Sequence, residues 1–272
     1  MITPLAGAED AAVYGGKAVQ LGTAIRNGLP VPSGYALSVS AVEAIIEGDT
    51  AALGAIAAVA EELGLLAVRS SALDEDSAEA SFAGAHLSVL AVSGSRDTVA
   101  AVRAVHESAT NAGALSYRAN RGLDADGRMA VVVQRLVDAD TAGVLFTRNP
   151  VTGAEERVIE ASWGLGEAVV AGIVTPDHYR VSRGGSLLDR TPGRKDVSIR
   201  PRRDPRAAEA TEEVPVAPEL VDAFCLDDTE LTALDHLAGL CDDAYGTTEH
   251  DIEFAFHDGQ VFLLQRRPIT RA

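Results

Sequence analysis

The chain reads as an α+β protein of two lobes, and three observations predict it. At 272 residues it is long enough for one large core or for two lobes sharing a cleft. Helix-like stretches dominate the first half and strand-like stretches the second, an order that disfavours the regular βαβ alternation of a doubly wound sheet. The last segment, Asp251 to Pro268, alternates apolar Ile252, Phe254 and Phe256 with Asp251, Glu253 and Ala255, the period-2 signature of a strand whose faces meet different environments.

The elements follow in order. Gly15-Gly16-Lys17 leads into a helix-like Ala18 to Arg26 stretch. Pro30 and Pro32 then force an extended connection into Ala36 to Val39 and a further helix. An alanine-rich helix near residues 50 to 63 precedes Leu65 to Ser71, a short buried strand emptying into a polar loop, Ala72 to Ala80, with four acidic residues. A strand near Leu87 to Val92 and a long helix from about Arg96 to Asn120 complete the first half. In the second half, Met129 to Val137 and Ala142 to Phe146 read as neighbouring strands, Arg157 to Ala161 and His178 to Ser182 as two more, and Glu167 to Ala171 as a helix opened by Gly164-Leu165-Gly166. Arg183 to Val216 has weak periodicity and reads as an irregular segment or a surface ribbon. Thr229 to Tyr245 is a helix before the final hairpin, and the lobes divide at 1–135 and 136–272.

The hairpin's turn decides which side chains meet. A two-residue Asp258-Gly259 turn in a regular ladder pairs Glu253 with Leu264 and sends Gln265 to the opposite face. A three-residue His257-Asp258-Gly259 loop pairs Phe254 with Phe262, keeps the apolar residues in phase and gathers Glu253, Gln265 and Arg267 on one face. The second arrangement is the expectation. It suits a hard cation held by oxygens, with an arginine beside it to fork onto phosphate.

Composition narrows the partners. A formal charge of −17 opposes binding to nucleic acid or anionic membrane, so a phosphate site has to be a local positive pocket. Hydrophobic content of 47% with 23% charged residues fits a globular chain, and no apolar run is long enough to span a bilayer. The start lacks a basic segment followed by an apolar stretch, and Cys225 and Cys241 have no metal-type spacing; a reduced cytoplasmic protein is the expectation. Of 23 basic residues only Lys17 and Lys195 are lysines, so a lysine kept directly after two glycines points to a need for a compact ammonium. Neither a Walker A sequence nor a complete dinucleotide fingerprint is present.

Five ordered segments carry a resemblance: Gly15-Gly16-Lys17 with Gly28 to Tyr35; Val68-Arg69-Ser70-Ser71-Ala72 with Ser81-Phe82-Ala83-Gly84; Val133-Gln134 with Gly143 to Pro150; Gly164-Leu165-Gly166-Glu167; and Asp251-Ile252-Glu253 with Gln265 to Ile269. Together they resemble the ATP-binding domain shared by phosphoenolpyruvate synthase, pyruvate phosphate dikinase and rifampin phosphotransferase, here free-standing. The resemblance implies an ATP-grasp fold with ATP and Mg²⁺ in the cleft between the lobes. It implies that Lys17, Arg69 and Arg267 act on the phosphates, that Gly84 and Ser88 lie in a phosphate-covering loop, that Gln134 sits near the adenine, and that Glu253 and Gln265 hold Mg²⁺.

It also implies that the β,γ-pyrophosphoryl unit of ATP passes to a histidine. None of the six histidines here has the glycine-rich context of such a carrier, so the histidine is expected on a separate phosphohistidine-domain partner. This chain departs from the family pattern in three places. The connection between Gly34 and Arg69 is short and has no secure counterpart to a further phosphate-contacting arginine, while Ala85 and Leu87 replace a usual glutamine and a usual polar residue. A self-sufficient small-molecule kinase or ligase and a non-catalytic nucleotide sensor are the competing readings.

Overall fold

The computed structural model describes residues 1–73, 87–109, 128–202 and 210–269. The chain forms two compact units: one holds Met1–Thr23 and Ser33–Leu136, the other Ala24–Pro32 and Val137–Ala272.

The first unit is built on a five-stranded antiparallel sheet. Its strands are β1 (Ile2–Pro4), β2 (Gly34–Leu37), β3 (Leu65–Ala72), β4 (Ser88–Ser93) and β5 (Met129–Arg135), in the order β1-β2-β5-β3-β4. One face is covered by α2 (Val39–Glu47), α3 (Thr50–Leu63) and α4 (Gly94–Ser108), which bury Val42, Ile45, Ile56, Val102 and Val105 against Leu66, Val68, Val131 and Val133. The helix boundaries follow from side-chain chemistry. Ser38 accepts from the Ala41 amide at the start of α2, Gly48 ends it in a left-handed conformation, and Asp49 caps α3 through the Ala52 amide. A further helix, α1 (Ala11–Arg26), is broken at Gly15 (φ 76°, ψ 165°).

The second unit carries a six-stranded sheet ordered β13-β12-β6-β7-β8-β9, with β6 Thr141–Phe146, β7 Glu156–Trp163, β8 Asp177–Ser182, β9 Leu187–Thr191, β12 His250–His257 and β13 Gln260–Pro268. A one-turn helix, α5 (Glu167–Val170), follows β7, and β10 (Val197–Pro201) pairs with β11 (Thr211–Pro215) as a ribbon. The helix Asp228–Tyr245, α6, begins at a capping box made by Asp227 and Glu230. It packs Leu231, Leu234, Leu237 and Cys241 against Leu145, Ile159, Tyr179, Ile252, Phe254, Phe256 and Leu263 on one face of the sheet.

Two expectations are overturned. β5 and β6 are not neighbours: β5 is flanked on both sides by β2 and β3, and β6 by β12 and β7, so neither has an edge left for the other. The hairpin also turns differently. His257 pairs with Gln260 across a two-residue Asp258-Gly259 turn whose residues both have positive φ (47° and 72°), the form that matches strand twist. A β-bulge then places one extra residue, Leu264, between the Phe254–Leu263 and Glu253–Gln265 pairs. The extra residue restores the phase that a regular two-residue hairpin loses. The expected segment Arg183 to Val216 is not all surface, since Lys195 within it is fully buried. Of the long helix expected to Asn120, the part beyond residue 109 lies outside the described residues, as does most of the acidic loop expected at 72 to 80.

Candidate functional site

Each unit brings a set of the expected residues together. In the first, strand alternation sends Leu66, Val68 and Ala72 of β3 into the helix-covered core and turns Arg69 and Ser71 to the opposite face. Arg69 lies opposite Ser88 on β4 and opposite Val132 on β5, and Gln134, two residues along the same face of β5, lies opposite Ala67 and Gly34. Arg69 and Gln134 are buried and Ser88 is exposed. Gly84 lies outside the described residues.

Lys17 joins this set through the start of α1. Its ammonium donates to the Ser70 carbonyl at 2.8 Å. The neighbouring Ser71 hydroxyl donates to the Tyr14 carbonyl at 2.7 Å and accepts from the Ala18 amide at 3.0 Å. These bonds staple the Gly-Gly-Lys segment to the Arg-Ser-Ser strand and fix where Lys17 emerges. Ser71 was not singled out by sequence, although its place directly after Arg69-Ser70 is a signal that could have found it. Gly15 also gains a specific reason: a Cβ there would stand 2.0 Å from the Ser71 carbonyl oxygen, and its φ disfavours any side chain. Close approach at Gly15 is therefore to the chain's own strand. Gly164 is similar, with a Cβ position 2.5 Å from the Ile199 carbonyl oxygen.

In the second unit the bulged register sets Glu253 opposite Gln265 and Asp251 opposite Arg267, on the face away from α6. Arg267 Nη2 stands 3.6 Å from Glu253 Oε1, with both side chains about one-quarter exposed, while Gln265 is buried. Asp251, which the sequence reading passed over, belongs to this set. Burial pushes its carboxyl up to about 6; Glu253 on the same face adds to the shift and Arg267 opposes it. A cation placed beside this carboxyl would offset the cost of burying its charge. Two carboxylates and an amide oxygen on one strand pair form an all-oxygen donor set that fits a hard divalent ion, and Arg267 supplies the donors for an anionic ligand of that ion.

The opposite face of the same strands holds a second polar group that sequence did not reveal. Arg266 Nε donates to His250 Nδ1 at 2.8 Å, and the Arg266 guanidinium lies 4.4 Å from the centre of the Tyr245 ring. His250 Nε2 is 3.3 Å from Asp242 Oδ1. Asp242 also meets Arg183 at 3.1 Å and Arg157 at 3.7 Å. Burial, and then the Arg266 charge, lower the His250 imidazole to about 4, so it is neutral at physiological pH.

Comparison with known proteins bears on what these groups serve. Residues 50–272 match the family described as pyruvate phosphate dikinase, AMP/ATP-binding domain. A probable phosphoenolpyruvate synthase of Methanothermobacter thermautotrophicus is 36% identical over 97% of this chain and 45% of its own length. The phosphoenolpyruvate synthase of Pyrococcus furiosus is 40% identical over 75% of this chain and 26% of its own length. An uncharacterized phosphotransferase of Bacillus subtilis is 32% identical over 96% of this chain and 34% of its own length. The chain thus spans less than half the length of each of these relatives.

Proposed function

This chain belongs to the pyruvate phosphate dikinase AMP/ATP-binding domain family, and from that premise we propose that it is an ATP-grasp module that binds Mg-ATP and hands the β,γ-pyrophosphoryl unit to a histidine on a partner. The observation that carries the reading is the register of the final hairpin, which sets Glu253 across from Gln265 with Arg267 and Asp251 two pairs further on. Nothing in a solvated amphipathic hairpin calls for a buried glutamine beside a carboxyl raised by burial.

In this reading the lobes expected at 1–135 and 136–272 each supply contacts to the nucleotide. Gln134 sits near the adenine, Lys17, Arg69 and the loop with Gly84 and Ser88 meet the phosphates, and Glu253 and Gln265, with Asp251, hold Mg²⁺. Magnesium, when bound, supplies charge neutralisation on the phosphate oxygens. The protein's own work is positional and electrostatic. Arg267 forks onto terminal phosphate oxygens, and Lys17 adds a compact charge whose direction is set by the Ser70 and Ser71 bonds. A chain of net charge −17 repels a polyanionic nucleotide at long range, so these few cations have to create the local potential. In the transfer, a histidine nitrogen forms a bond to the β-phosphorus as the bond from that phosphorus to the AMP oxygen breaks, and AMP departs.

The test is product analysis with labelled ATP. The expected result is Mg-ATP binding by the chain alone, with AMP and an acid-labile phosphoprotein appearing only when a histidine-bearing partner domain is added. ADP formed with a small acceptor and no partner would replace this reading with a self-sufficient kinase or ligase. Binding without turnover under any pairing would make the chain a nucleotide sensor.

A further inference from the structure

The final hairpin has two registers open to it, and the site depends on which is adopted. With the Asp258-Gly259 turn fixed, a regular ladder pairs Glu253 with Leu264, Ile252 with Gln265 and Asp251 with Arg266. That ladder breaks up the oxygen donors, because Gln265 then shares the apolar face with Ile252. The observed ladder instead carries a bulge at Leu264 and pairs Glu253 with Gln265, Ile252 with Arg266 and Asp251 with Arg267. A bulge gives up ladder hydrogen bonds, so something has to favour it.

We propose that the Arg266–His250 hydrogen bond, backed by Tyr245 and Asp242, is a register lock that holds this bulge and thereby positions Glu253, Gln265 and Arg267. Only in the bulged ladder does Arg266 point to the α6 side, where its Nε reaches His250 Nδ1 at 2.8 Å and its guanidinium stacks on Tyr245. The regular ladder turns Arg266 to the Asp251 face, which strips His250 of its donor and removes the cation from the Tyr245 ring. His250 and Arg266 are buried polar residues on a face otherwise made of Ile252, Phe254, Phe256 and Leu263, so the lost partner is not replaced by water. The anchoring extends into α6 through Asp242, which meets His250, Arg183 and Arg157. His250 and Arg266 are positioning residues: they touch neither metal nor nucleotide.

The consequence for binding rests on the Mg-ATP reading above, whereas the register itself is measured without any ligand. The experiment uses the full chain and four variants, Arg266→Met, His250→Leu, His250→Asn and deletion of Leu264. Cross-strand NOEs report the register, and calorimetry reports Mg-ATP affinity. Arg266→Met and His250→Leu are expected to lose the single set of Glu253–Gln265 NOEs and to weaken Mg-ATP at least tenfold, the scale at which outer partners of a metal site act. His250→Asn keeps an acceptor and is expected to retain both the register and affinity within about threefold. Deleting Leu264 makes the regular ladder pair Glu253 with Gln265, so adding Arg266→Met to that deletion is expected to leave the register unchanged. Should Arg266→Met fail to fold, His250→Leu and the deletion pair still decide the matter. Unbroken Glu253–Gln265 NOEs in Arg266→Met or His250→Leu overturn the lock. A wild-type chain that holds the bulged register yet binds no Mg-ATP overturns the nucleotide reading and leaves the lock standing.

Discussion

Single atoms set the limits on what the site tolerates. At Gly15 a Cβ would fall 2.0 Å from a backbone oxygen of Ser71, a contact that no rotamer change relieves, and the residue's φ of 76° adds strain for any L side chain. Gly15→Ala is therefore expected to destabilise by roughly 2–4 kcal/mol, combining backbone strain with displacement of the strand that carries Arg69. Chemical denaturation checks this, and a loss under about 1 kcal/mol contradicts the geometry. Arg267 presents a different limit, since its planar fork matches two phosphate oxygens while sharing space with Glu253 at 3.6 Å. Replacement by lysine keeps the charge and loses the fork. Arg267→Lys is expected to lower phosphotransfer on the order of 10²-fold, with a smaller effect on Mg-ATP affinity; a fully active lysine variant would mean that charge alone suffices.

At the level of elements, the sequence was most legible where periodicity was strong and local. The helix Thr50–Leu63, the strand Leu65–Ala72 and the helix Asp228–Tyr245 lie within a residue or two of where composition and residue patterning put them. The gathering of Glu253, Gln265 and Arg267 on one face was also legible, but by the wrong route. An alternation argument counts residues and cannot see a bulge, because the energy favouring Leu264's extra position comes from Arg266, His250 and Tyr245, which are distant in sequence or hidden by the face they share. Strand neighbours were illegible for a related reason: β5 and β6 adjoin in sequence, yet pairing is decided by which edges remain after distant strands have docked. The segment after β8 was the least legible. There Asp177 accepts from Lys195 and from the Gly193 and Cys225 amides at 2.7 Å, and Tyr179 donates to it at 3.2 Å, so a weakly patterned stretch is tied to β8 from inside. Lys195→Met would leave a buried carboxylate with neutral donors alone. A loss of roughly 3–5 kcal/mol is expected, and the double variant Asp177→Leu with Lys195→Met should recover part of it. If the single change costs less than about 1 kcal/mol, the pair is not what anchors the segment.

Over the whole molecule, two electrostatic effects oppose each other as the solution is acidified. The excess of 40 acidic over 23 basic residues makes the folded chain repel itself, and partial protonation of its carboxylates relieves that repulsion as pH falls. His250 acts in the other direction. Its folded value of about 4 lies below the ordinary 6.5 because burial and Arg266 penalise the imidazolium, so the unfolded chain binds this proton more readily. The stability it contributes is complete above about pH 6.5, falls as pH drops toward 4, and is constant below that, a change on the order of 3 kcal/mol for one fully coupled group. The charges facing it are Arg266, Arg157, Arg183 and Asp242; the last favours protonation, and the three arginines outweigh it. In the same interval Asp251 moves oppositely, its raised carboxyl taking a proton in the folded state first. The two contributions separate by mutation. Wild-type stability, followed by urea denaturation from pH 7 to pH 4, is expected to fall more steeply than that of His250→Asn, which has no imidazole to charge. Asp251→Asn is expected to fall more steeply still, because it removes the carboxyl that gains from acidification. Parallel profiles for wild type and His250→Asn would show that the buried imidazole does not control acid stability, and would shift the explanation to the paired carboxylate of Glu156, which Arg180 and Asn149 hold below its usual range.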